Sequence, residues 1–171
     1  MIFLLASLLM AGDPSQTFPQ IRVPDLNGKV VTLPDDLTGG HRLILIGYER
    51  NQQESLDRWI DSAVRLNRPE GTLGIYELPI IDDPGRIGRG MIDAGMKLAI
   101  RDEATRARVL TLYTDKAAMM RTLRLKSDRT VDLLLLAGDG TIVWRESGPV
   151  TADKLASLLT AIAADSDAGD E

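Results

Sequence analysis

Four consecutive aliphatic residues, Leu43 to Ile46, precede a polar stretch from Gly47 to Gln53, and then Leu56, Trp59, Ile60 and Ala63 fall at i, i+3, i+4 and i+7. A short apolar run reads as a strand buried on both faces, and the 3-4 spacing reads as an amphipathic helix. The stretch from Leu43 to Asn67 is therefore expected to form a strand, a polar turn and a helix, stopped by Asn67, Pro69 and Gly71. Thr72 to Ile81 is expected to be a second strand that buries Leu73, Ile75, Leu78 and Ile80. Two strands joined through a helix imply a right-handed crossover and a parallel pair.

On either side the patterns are shorter. Ile21–Val23 and Lys29–Leu33 flank Asn27-Gly28, a strong hairpin signal because both residues tolerate positive φ, and Pro34 to Gly40 reads as a loop. Met91–Ile100 and Lys116–Leu123 look helical, and Arg108–Tyr113 looks like a short strand. The alternating glycines of Gly85 to Gly90 read as a loop between phosphate approach and plain flexibility. Val131–Ala137 and Ile142–Glu146 flank Gly138-Asp139-Gly140 as a second hairpin. Thr151 is a good N-cap for a helix Ala152–Ala163 with Leu155, Leu158, Leu159 and Ile162 in a stripe. Residues 164–171, small and acidic, are expected to be a disordered tail.

Composition narrows the chemistry. The 171 residues include no cysteine, which removes disulfides, thiol redox catalysis and thiolate metal sites together, and one histidine, which removes a multi-histidine metal site. The net charge of −5 argues against nucleic acid as the main partner. The charge is unevenly spread. Pro84 to Arg129 holds eleven Lys and Arg against five Asp and Glu, leaving nine against twenty elsewhere, so the molecule is expected to be electrically polarised. The apolar run Met1–Ala11, followed by Gly12-Asp13-Pro14, suits a signal segment over residues 1–12 and is shorter than the ~20 residues of a spanning helix. An exported or periplasmic location is expected from it, with a cytoplasmic chain bearing a buried first element as the alternative.

The order of hairpin, β, α, β, intervening segment, β-hairpin and closing helix resembles the thioredoxin-like superfamily over about Gln20–Ala163. The matching stretches are Leu26-Asn27-Gly28-Lys29-Val30-Val31-Thr32-Leu33, Leu133–Gly140 with Thr141-Ile142-Val143-Trp144, and Gly148-Pro149-Val150-Thr151. The resemblance implies a three-layer α/β/α domain over residues 18–163, with a central mixed sheet and an N-terminal hairpin extension. Redox members carry cysteine in the turn after the central strand and a cis-proline before the later strand. Here that turn, Glu49–Leu56, has no cysteine, the proline position falls near Val131 or Asp132, and no proline lies between Pro84 and Pro149. Within the superfamily the chain resembles most the assembly-factor family of the F-type ATP synthase. The residues behind this are Trp59, the run Tyr76-Glu77-Leu78-Pro79-Ile80-Ile81, the basic middle segment, and Asp139, Gly140, Ile142, Trp144 and Gly148.

These readings lead to a cysteine-less, non-catalytic protein that acts by protein binding, as an assembly or chaperone-like factor, with no cofactor and no metal. The candidate partner surface is Tyr48, Glu49, Arg50, Asn51 and Gln52 of the turn with Arg86, Arg89, Lys97 and Arg101. The alternative is a small-ligand binder or non-thiol enzyme using the same turn, and a third reading is peripheral contact with an anionic membrane. His41 reads as a general base or an edge histidine, Asp82-Asp83 as a hard-cation site or a turn, and Ser55 as a nucleophile or a helix-start residue. Met91, Ile92, Met96, Leu98 and Ile100 would form the apolar side of a helix that either docks a partner or packs on the sheet.

Overall fold

The structure, a computed structural model, describes residues 16–66 and 73–168. The signal segment and the stop signals Asn67, Pro69 and Gly71 lie outside these. β1 (Ile21–Pro24) and β2 (Val30–Leu33) pair antiparallel, as Asn27-Gly28 predicts. Gly28 takes φ +89°, which a residue without Cβ adopts without strain. The Asp25 carboxylate accepts the N–H of Asn27 and of Lys29 at 2.9 Å each and closes the turn.

The chain then runs through β3 (His41–Gly47), α1 (Gln53–Leu66), β4 (Leu73–Asp82), α2 (Gly85–Ala99), α3 (Glu103–Arg106), β5 (Leu112–Thr114), α4 (Lys116–Thr122), β6 (Asp132–Leu136), β7 (Ile142–Ser147) and α5 (Ala152–Ala168). Five strands form one sheet in the order β5-β4-β3-β6-β7. β3, β4 and β5 are parallel, β6 is antiparallel to β3, and β7 is antiparallel to β6. Every residue of β3 is buried, as its unbroken apolar run requires of a central strand covered on both faces.

The two faces carry separate cores. Leu43, Leu45, Ile75, Leu133 and Leu135 meet Leu56, Trp59 and Ala63 of α1 and Leu158 of α5. Ile44, Ile46, Leu78, Ile80, Leu134 and Leu136 meet Leu33 of the hairpin, Phe18, Leu110 and Leu123. Trp59 is the anchor of the first core. It is fully buried, its indole N–H donates to the Gly148 carbonyl at 2.9 Å, and Trp144 meets it edge-on at 6.5 Å. Burying a tryptophan stabilises by roughly 4–6 kcal/mol, an upper bound because the unfolded chain is already partly collapsed.

Three expectations need correction. Gly85 to Gly90, read as a loop, is the first part of α2. Each glycine costs about 1 kcal/mol against alanine there, and local tethers hold the turn instead: the Asp83 carboxylate accepts the Gly85 N–H at 3.0 Å and pairs with the Arg89 guanidinium. The closing helix does not stop at Ala163 but continues to Ala168, taking in residues expected in the tail. Asp165, in this added stretch, meets His41 Nε2 at 2.9 Å and ties the helix to the start of β3. The short strand expected over Arg108–Tyr113 pairs regularly only from Leu112 to Thr114, while Val109 makes a single bridge with Glu77.

Candidate functional site

Because β3, β4 and β5 run parallel, their carboxyl ends bring four segments to one edge of the sheet: the turn Tyr48–Gln52, the start of α2 after Asp82, the start of α4 after Thr114, and the approach to β6 through Asp128. Ligands of open α/β sheets bind at such an edge. In this chain the edge is closed by its own side chains. The Tyr48 hydroxyl donates to Asp132 Oδ2 at 2.6 Å, and both residues are buried. Gln52 Oε1 accepts the Tyr48 N–H at 2.8 Å, and its Nε2 donates to the Asp128 carbonyl at 2.7 Å. Lys116 Nζ pairs with Asp128 Oδ2 at 2.7 Å, while the Lys116 N–H donates to Asp82 Oδ1 at 3.0 Å.

The electrostatics follow from this closure. Burial, with the hydrogen bond to Asp132, pushes the Tyr48 phenol up, so it remains a neutral donor. Burial also raises Asp132, which the Tyr48 hydrogen bond partly offsets. Pairing holds Asp128 below the ordinary carboxylate range and Lys116 above its own. The position expected for a cis-proline is thus occupied by a carboxylate bonded to the turn. Among the described residues the cis peptide bond is Leu33–Pro34, on the opposite side of the chain's order from Val131.

Two proposed surface residues are therefore corrected. Tyr48 and Gln52 are buried because their polar atoms complete the turn and bridge it to β6; Glu49, Arg50 and Asn51 remain exposed. Arg89 is exposed but engaged with Asp83 and lies over the Tyr113 ring at 5.5 Å from its centre; Arg86, Lys97 and Arg101 are also exposed. Asp82 and Asp83 are used in hydrogen bonds to Lys116, Gly85 and Arg89, and no cluster of three or more metal-ligating side chains exists among the described residues. His41 sits in β3, buried against Asp165. Ser55 is a half-buried residue of the first turn of α1.

α2 differs from every other long helix. None of its residues is buried. Ile92 and Met96 turn inward and are half-buried, with the Thr111 hydroxyl on the Met96 sulfur at 3.5 Å and the Tyr113 hydroxyl on Asp93 at 2.7 Å. Ile87, Met91 and Leu98 are 82%, 72% and 81% exposed. Of the five apolar residues expected on the helix, Met91 and Leu98 thus face outward and Ile92 and Met96 inward, while Ile100 follows the last helical residue, Ala99.

A second feature escaped sequence reasoning. An open groove of about 300 Å³ runs between α1 and the segment after α3, lined by Ile60, Val64, Ile75, Glu77, Arg108 and Val109. Glu77 is 8% exposed on its floor. Burial, reinforced by the nearby charge of Asp57 and opposed by a hydrogen bond from Gln53, pushes its carboxyl up to about 7. The only signal in the sequence was a charged residue at an inward position of a buried strand.

No protein-family model matches the sequence, and no curated relative matches it. Solved structures do. An exposed lipoprotein thioredoxin of Streptococcus pneumoniae is 14% identical, with 84% of this chain and 98% of that chain covered at a TM-score of 0.54. A member of the Sco family of cytochrome c oxidase assembly proteins is 12% identical, with coverages of 88% and 95% and a TM-score of 0.55. A protein of Aquifex aeolicus VF5 assigned to electron transfer is 11% identical, with 86% and 94% covered and a TM-score of 0.60. The chain has the thioredoxin-like fold of these proteins, without the cysteine that thiol chemistry requires. No helix among the described residues is long and apolar enough to cross a membrane.

Proposed function

We propose that this chain is a non-redox member of the thioredoxin-like fold that acts by binding another protein. The observation that carries the reading is α2, a fifteen-residue helix with no fully buried residue, which turns Ile87, Met91 and Leu98 to the outside. Exposed apolar side chains in one patch are characteristic of interaction sites. Glu49, Arg50 and Asn51 extend the candidate surface at the neighbouring strand end. The filled turn speaks against the alternative of a ligand or enzyme site there, because Tyr48 and Gln52 spend their polar atoms within the fold.

An assembly or chaperone-like role is the finer form of this proposal. It rests on the resemblance to the F-type ATP synthase assembly factors and is consistent with a Sco-family assembly protein sharing the fold. Export is proposed from the apolar run Met1–Ala11, and an exposed lipoprotein shares the fold.

The test is affinity capture from the native host with the wild-type chain, a triple variant Arg86→Glu, Lys97→Glu, Arg101→Glu, and a turn variant Arg50→Glu. A protein retained by the wild type and lost from at least one variant is the expected result. Capture of the same proteins by all three forms, or of none, overturns the reading.

A further inference from the structure

The outward residues of α2 follow a rule more specific than exposure. Ile87, Met91, Ala94 and Leu98 are spaced by four, three and four, the spacing of a coiled-coil seam. At 100° per residue they fall within about 60° of one another. Ala94 is exposed within the seam and Gly95 beside it, and a Cβ added at Gly90 or Gly95 would meet no atom within 4 Å. The surface therefore alternates large side chains with open hollows. The flanks differ in charge: Arg86 and Lys97 lie on one side, followed by Arg101 past the helix end, while Gly95 and Ala99 leave the other side small and uncharged.

We propose that α2 is one half of a two-helix seam, and that its occupant is an amphipathic helix of a partner protein with a 3-4 apolar stripe and Asp or Glu beside it. This deepens the protein-binding reading and rests on it. Charge complementarity selects the partner. An acidic flank would meet Arg86 and Lys97, whereas a second copy would set the same basic flanks against each other in an antiparallel two-fold pair and leave them facing the uncharged Gly95 and Ala99 side in a parallel one. The narrow seam, without an aromatic residue, also differs from the broad Trp- or Phe-bearing face of helices that lie on lipid. The small flank lets two helix axes approach closely.

The absence of cysteine makes the test direct, since a single Gly90→Cys substitution in the full chain gives one site for an environment-sensitive dye beside the seam. The probes are two synthetic helical peptides with the same Leu and Ile stripe, one flanked by Glu and one by Lys, and vesicles of phosphatidylcholine with phosphatidylglycerol. Binding of the Glu peptide at least tenfold tighter than the Lys peptide is expected. The preference should reverse with Arg86→Glu and Lys97→Glu and disappear with Met91→Asp and Leu98→Asp. Equal binding of both peptides, a response to vesicles alone, or a dye change that depends only on protein concentration would each overturn the seam. If capture from the host is lost with Arg50→Glu but not with Leu98→Asp, the seam fails while the protein-binding reading stands.

Discussion

Glu77 makes the stability of this protein depend on pH in a direction opposite to that of its more exposed, hydrogen-bonded carboxylates Asp83, Asp102, Asp128 and Asp139. Its folded-state value of about 7 compares with 4.5 for the free side chain. At roughly 1.4 kcal/mol per unit, the difference corresponds to about 3 kcal/mol. Below pH 4.5 both folded and unfolded chains hold the proton, and the full contribution is present. As pH rises, the unfolded chain releases the proton first, so stability falls by up to about 1.4 kcal/mol per unit and levels off above pH 7. Asp57 and Gln53 on α1 face the carboxyl, and Asp102 and Arg108 line the groove above it. Glu77→Gln has no proton to release. Its advantage over the wild type should therefore grow by about 3 kcal/mol between pH 4.5 and 8. Urea unfolding of both forms across pH 4–8.5, followed by the fluorescence of Trp59 in a Trp144→Phe background, measures this. The difference between the two forms cancels Asp83, Asp102, Asp128 and Asp139, whose lowered values act at the acid end. Parallel pH profiles for the two forms would refute the reasoning.

Other positions give equally definite expectations. Tyr48→Phe removes the donor to Asp132 and leaves a buried carboxylate short of a partner, which costs about 1–3 kcal/mol; the free energy of urea unfolding near pH 7 reads it, and a change under 0.5 kcal/mol would contradict the pairing. Gly74→Ala would place a Cβ 2.0 Å from the Thr38 carbonyl oxygen, a backbone atom that cannot simply turn aside, so a loss of about 1–3 kcal/mol or more is expected in the same assay. Asp165→Ala frees the end of α5 from His41 and should cost roughly 1 kcal/mol, with faster amide exchange in the last turns of the helix than in the wild type. Leu98→Asp, on the outer face of α2, should leave stability within about 0.5 kcal/mol, so any loss of partner binding in that variant is a surface effect.

What the linear chain revealed was set by local periodicity. β3, α1 and β4 were legible because Leu43–Ile46 is an unbroken aliphatic run, the Leu56–Ala63 stripe keeps a helical period against one core, and Leu73–Ile80 is rich in aliphatic residues that meet the cores on both faces of the sheet. The hairpin was legible from Asn27-Gly28 alone. α2 was half legible: the apolar residues announced a helix, but three glycines obscured its start, and their division between an inner and an outer face depends on where β5 places Thr111 and Tyr113. The closed turn was not legible. Tyr48 and Asp132 are 84 positions apart and Gln52 and Asp128 are 76 apart, and no pattern in the sequence connects residues that only the β3–β6 register brings together. Glu77 was hidden for a related reason, since its burial depends on the returning segment Arg108–Leu110, whose backbone pairs with its own.

The position of β3 in the sheet has a consequence for how the protein is made. One of its edges is completed by β4, which follows after a single helix, but the other waits for β6, whose last residue, Leu136, is 89 positions beyond Gly47. At a synthesis rate of roughly 5–20 residues per second, Leu43–Ile46 presents an open, apolar strand edge for about 4 to 18 seconds on a nascent chain. Such an edge is a template for pairing with another chain. The yield of folded protein should accordingly respond more to the supply of chaperones that hold nascent strands than the fully buried β3 of the finished sheet would suggest.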